Sequence, residues 1–193
     1  MFANLYDEKK AAQSAAYLLH RAQAPLTTVK LMKLLYLAER RSFKDHAEPL
    51  TGDRIVSTEQ GPVLSQTYGH MFGELESVNG GWDSWVADQA AHLLSLRDNV
   101  RIDDPAAALL ELSNANLDVL SGVWDEFGTF TPARLVDYTQ SNCPEWTDPR
   151  GSMTPIPHER LLSALGYTNE QREALVERLR DQASLNEVFA ATL

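Results

Sequence analysis

Five histidines, one cysteine and four tryptophans are the side chains of this 193-residue chain with the most chemistry to offer. His20, His46, His70, His92 and His158 stand far apart, and no two are three or four residues apart on a helix. That spacing lets two imidazoles share a zinc ion, so no metal centre is expected. Cys143 could act as a nucleophile with a distant histidine. A single cysteine of this kind is more often a small buried hydrophobe, and that is the role expected of it. Gly80-Gly81 leads into Trp82-Asp83, without the lysine and hydroxyl of a phosphate-binding loop, and predicts a turn. No cofactor is expected.

Two groups of residues suit recognition better than turnover. Lys30, Lys33, Arg40, Arg41 and Lys44 form the one basic cluster. It predicts a solvated helix face, with an acidic partner surface or RNA as the functional alternative. Trp82, Trp85 and Trp124 suit core or core-edge positions. Trp146, between Pro144 and Pro149, is the tryptophan best placed for contact, since buried tryptophans dominate protein interfaces.

Charge narrows the partners. The net charge is −10, and residues 97–193 contain no lysine. A surface of this sign repels phosphate backbones, which disfavours nucleic acid and favours a basic or mixed protein partner. No apolar run reaches the roughly 18 residues of a membrane span, no leader pattern opens the chain, and a cytoplasmic protein is expected.

Helical patterns must position these residues. Asp7 predicts a cap for a helix to about Ala22, broken by Pro25. Thr27 or Thr28 opens a helix to about Lys44, with Leu31, Leu34, Leu35 and Ala38 buried. Alternation over Asp53–Glu59 predicts a strand ended by Gly61-Pro62, and Ser65 starts a short helix through Phe72. Residues 82–100 suit further strands of a small antiparallel sheet, with helix ends as the alternative. Ser113 or Asn114, Thr131-Pro132 and Thr168-Asn169-Glu170-Gln171 predict three more helix starts, and Leu161, Leu162 and Leu165 a short helix stopped by Gly166. The fold class is mainly α: a compact helical domain over 1–166 with a small antiparallel β-sheet, and an amphipathic C-terminal helix in a 167–193 extension.

The order of these blocks resembles the Panacea-domain family of SocA-like antitoxins. Thr28-Val29-Lys30-Leu31-Met32-Lys33-Leu34-Leu35-Tyr36-Leu37-Ala38 is similar to the family's lysine, leucine-leucine-tyrosine and alanine helix. Glu48-Pro49-Leu50, the strand to Glu59, Gly61-Pro62-Val63 and Tyr68 resemble its strand and glycine-proline-valine block. Leu135 to Gln140 with Pro144-Glu145-Trp146 resembles its third block, although Gln140 stands where histidine is usual and Glu145 separates proline from tryptophan. The resemblance implies neutralisation of a cognate protein toxin by direct binding, without catalysis. A proteolytic adaptor that delivers a toxin to a protease is the alternative, and a hydrolase is a more distant one. The contact residues expected from these blocks, and from the basic residues among them, are Lys33, Tyr36, Arg40, Gln60, Tyr68, Gln140 and Trp146.

Overall fold

A helix covered on every side along its middle turns stands at the centre of the fold. The computed structural model describes residues 5–190, with only the backbone of Ala190. In α2 (Thr28–His46), Leu31, Leu34, Leu35, Tyr36 and Ala38 are wholly inaccessible. Thr27 caps this helix by accepting from the Lys30 N–H at 3.2 Å, and Ala47 ends it in a left-handed turn. Asp7 likewise caps α1 (Glu8–Ala22), whose Ala11, Ala12, Ala15 and Ala16 allow close approach to its neighbours. Both caps stand where the sequence places them.

The remaining helices pack on α2 or on helices that touch it. In chain order they are α3 (Ser65–Met71), α4 (Trp82–Trp85), α5 (Pro105–Ala108), α6 (Asn114–Phe127), α7 (Pro132–Asn142), α8 (His158–Ala164) and α9 (Asn169–Ala190). Ser113 forms a reciprocal capping box with Asn116 at the start of α6, and Thr131 caps α7 ahead of Pro132. Thr168 and Gln171 form the same reciprocal pair of bonds at the start of α9. From α9, Leu175, Val176, Leu179 and Ala183 are buried, while Leu185, Val188 and Phe189 lie in solvent. Mainly helical architecture with minor antiparallel sheet therefore holds. No described helix is both long and apolar enough to cross a membrane.

The strands differ from expectation. Two three-stranded antiparallel sheets form in place of one. In the first, β1 (Leu26–Thr27) pairs with β5 (Leu93–Leu96), which pairs with β4 (Val86–Gln89). A two-residue strand has no period to read, and Trp82–Trp85 is a single helical turn. In the second, β2 (Ile55–Thr58) lies between β3 (Gly61–Leu64) and β6 (Thr154–Pro155). Gly61-Pro62 does not end the strand region but opens the returning strand, with Thr58 opposite Gly61 and Ser57 opposite Pro62. Proline is tolerated because β3 is an edge strand, where its missing N–H breaks no ladder bond. Nor does β2 alternate. Ile55, Val56 and Ser57 are all buried, as befits a central strand covered on both faces.

Two buried carboxylates fix the chain leading into this hairpin. Glu39 on α2 accepts from Thr51 N and Oγ1, both at 2.8 Å, and from Gly52 N at 3.3 Å. Asp53 accepts from Gln66 N at 2.9 Å and from Thr67 N and Oγ1 at 2.7 Å, so it caps α3 from a distance where Leu64 cannot. Sequence reading missed both residues, because their partners lie 12–14 residues away.

Candidate functional site: the back and front of the β2–β3 hairpin

Lys33, Tyr36 and Arg40 recur at intervals that place them on one side of α2, and that side packs against the hairpin and the segment after α7. The Tyr36 hydroxyl donates to Glu145 Oε1 at 2.5 Å, and Arg40 Nε donates to the same oxygen at 2.7 Å. Glu145 is fully buried. Burial and then the neighbouring Cys143 and Glu145 push the Tyr36 hydroxyl well above its ordinary pKa. Burial would lower Arg40, but its bond to Glu145, the charge of Glu145 and the neighbouring Cys143 and Tyr36 together raise it. Lys33 Nζ donates to the Pro62 carbonyl at 2.8 Å, with only 1% of the residue exposed. Cys143 is buried beside this group and its thiol is pushed up by burial, as a packing residue would be.

The basic cluster is thus only in part a solvated face, with Lys44 exposed. Lys33 is interior, and Lys30 donates to the Gly128 carbonyl at 2.6 Å. Arg40 and Arg41 pair with Glu145, and with Asp45 and Glu126, respectively. Helix α2 is too deeply packed to leave them free.

Side chains from α7 and the following segment hold the hairpin turn from the front. Gln140 Nε2 donates to the Glu59 carbonyl at 2.8 Å, and Trp146 Nε1 to the Thr58 carbonyl at 2.9 Å. Thr58 Oγ1 closes the turn onto the Gly61 carbonyl at 2.7 Å. Gln60, at its tip, is exposed, while Gln140 and Trp146 are half-buried. Four of the seven expected contact residues, Lys33, Gln60, Gln140 and Trp146, therefore meet at one hairpin, and Tyr36 and Arg40 reach Glu145 beside it. Tyr68 stands apart on α3, half-buried, 4.6 Å between ring centres from Phe72. Lys33 and Tyr36 present no surface to a partner in this conformation, and their place is support behind the turn. Glu145, which ties Tyr36 to Arg40, reads in the sequence only as a spacer before Trp146. Its signal was a carboxylate between a proline and a tryptophan, with arginines on the main helix.

Between α2, the hairpin, α3 and Gly151–Met153 lies a cleft of about 320 Å³. A larger hollow of about 810 Å³, near Asp7–Lys10 and Glu48–Gly52, is lined mainly by charged and polar groups. The smaller cleft, with Met32, Val63, Tyr68 and Phe72 on its walls, better suits recognition. Among the described residues no three His, Cys, Asp or Glu side chains gather at metal-binding spacing.

Two strongly perturbed groups of the core give a pH signature. Burial lowers Lys33 from 10.5 to about 7, and burial raises Glu39 from 4.5 to about 7. Between pH 7 and 10.5 the unfolded chain binds the Lys33 proton that the folded chain has released, so stability from this group rises with pH. Between pH 4.5 and 7 the folded chain keeps the Glu39 proton that the unfolded chain gives up, so stability from that group falls with rising pH. Urea midpoints of Lys33→Met, compared with the parent chain, should lack the rise above pH 7, and those of Glu39→Gln the fall below it. Unchanged pH profiles in both variants would refute these assignments.

Comparison with known proteins places this geometry. Residues 31–147 match the family described as "Antitoxin SocA-like, Panacea domain", a span that runs from α2 through the hairpin to the Glu145-Trp146 segment. No curated protein and no solved structure gives a significant match. The matched stretch covers more than half of the chain, and the chain belongs to the SocA-like Panacea-domain family.

Proposed function

We propose that this protein is the antitoxin of a toxin–antitoxin pair, acting in the cytoplasm by direct binding of its cognate protein toxin. Membership of an antitoxin family is the observation that carries the proposal. The toxin docks across the front of the β2–β3 hairpin, on Gln60, Tyr68, Gln140 and Trp146, with Lys33, Tyr36 and Arg40 as supports behind. Inhibition is steric. The antitoxin covers or distorts the toxin's working surface, and no bond is made or broken by the antitoxin. An interface of about 1,600 Å² suffices for nanomolar affinity when a few anchors are well buried. The net charge of −10 favours a toxin with a basic or mixed contact face.

Residues 167–193 lie beyond the matched span and form an extension to the 1–166 domain, suited to partner-specific contacts. Co-expression with the product of the adjacent gene tests the proposal. Restored growth and a co-purifying complex are expected. Continued toxicity, with no complex on gel filtration, would rule it out. The half-life of the toxin separates sequestration, which leaves it intact, from delivery to a protease.

A further inference from the structure

Five non-glycine residues among those described have left-handed backbone. Gln23 and Ala47 end helices α1 and α2, where that conformation is ordinary. The other three are Ala91 (φ 64°), His92 (φ 58°) and Arg150 (φ 49°), of which His92 touches residues that line the cleft beside the hairpin and Arg150 adjoins one in the chain. Ala91 and His92 form the tip of the β4–β5 turn, a place that normally requires glycine or asparagine. The His92 carbonyl accepts from Thr28 Oγ1 at 3.0 Å, and its imidazole lies 6.3 Å from the Phe72 ring. Thr28 and Phe72 both line the cleft, and Arg150 directly precedes Gly151–Met153, which line it too. Strained backbone persists where the surrounding structure over-determines it, and it concentrates at ligand clamps.

The lining is consistent with a clamp. Met32 and Val63 are buried, whereas Phe72 and Met153 are 43% and 53% exposed. Two of the chain's four methionines thus bound the cleft, giving walls that adapt to differently shaped side chains. Glu59 lines the cleft, and the exposed Glu74 and Asp148 stand two and three residues along the chain from the lining residues Phe72 and Gly151, against Arg150. Lys33, the lysine in the lining, is turned to the Pro62 carbonyl.

We infer that this cleft is the anchor site for a bulky apolar side chain of a partner protein, carried on a segment with lysine or arginine within a few residues. The inference deepens the proposal that the chain works by binding a protein, and it names the chemistry of the bound segment.

The test is selection of a phage-displayed library of random peptides about twelve residues long on the purified full chain. The expected result is a consensus of one tryptophan, phenylalanine or leucine with basic neighbours. A synthetic consensus peptide should bind Met153→Glu and Phe72→Ser about thirtyfold more weakly by fluorescence anisotropy. Both positions are exposed, and unchanged melting temperatures certify the fold. Glu59→Lys combined with Glu74→Lys should weaken it about tenfold. An acidic consensus, no consensus, or equal affinity for the cleft variants would overturn the inference. So would self-association in sedimentation that Met153→Glu abolishes, since the occupant would then be a second copy. A cleft-dependent basic consensus without toxin neutralisation would refute only the antitoxin proposal.

Discussion

Arg40→Ala lowers the unfolding free energy by about 3–5 kcal/mol, because it leaves the fully buried Glu145 carboxylate without its cation. Helix propensity works the other way, since alanine is the best helix former, but by only a few tenths of a kcal/mol. The loss of charge compensation decides the outcome. In a chain of this length it corresponds to a fall in melting temperature of about 10 °C. Tyr36 remains bonded to Glu145 and stabilises it in part. The triple variant Tyr36→Phe/Arg40→Met/Glu145→Leu should recover most of the loss, since a packed apolar group leaves neither a buried charge nor an unpaired hydroxyl. Urea denaturation of the three proteins checks this, and a loss below about 1 kcal/mol in Arg40→Ala would show that Glu145 is solvated or otherwise paired.

Gly61→Ala should cost about 2–4 kcal/mol. Gly61 has φ of +94°, which a side chain disfavours. An added Cβ would also lie 2.8 Å from Thr139 Oγ1 and 3.1 Å from Lys33 Nζ. Thr139 donates to the Leu135 and Val136 carbonyls within α7, and Lys33 is held by Pro62, so neither can yield cheaply. Thr139→Ala removes the closest clash but not the backbone strain. The cost of Gly61→Ala in that background should therefore fall by about 1 kcal/mol, a coupling that thermal denaturation of the four proteins measures. Additive losses would place the whole penalty in the backbone.

Much of the helical framework is legible in the sequence, since it depends on local chemistry. Asp7, Thr27, Ser113, Thr131 and Thr168 each hold a nearby backbone amide at a helix start, and the leucines of α2 repeat at helical spacing. What escapes the sequence depends on distant partners. Leu26–Thr27 becomes a strand only because residues 93–94 arrive beside it. Pro62 can enter β3 only because that strand lies at a sheet edge. Lys33, grouped by type with its basic neighbours, is instead sunk behind Pro62, since α2 is covered on nearly every side.

The candidate site divides along the same line. The residues that meet at the hairpin could be named from their blocks, yet their roles could not. Lys33 ties the back of the turn, and Glu145 joins Tyr36 and Arg40 across more than one hundred residues of chain. Gln140 and Trp146 hold the front by accidents of register that no local pattern encodes.

Hydrogen exchange of the chain, alone and with its toxin bound, tests most directly whether the hairpin front is where the protein acts. Slower exchange by at least about tenfold in the Glu59–Gly61 turn and at Trp146–Thr147 is the predicted result. Protection confined to α9 or to the far side of α1, with the turn exchanging as freely as before, would contradict it.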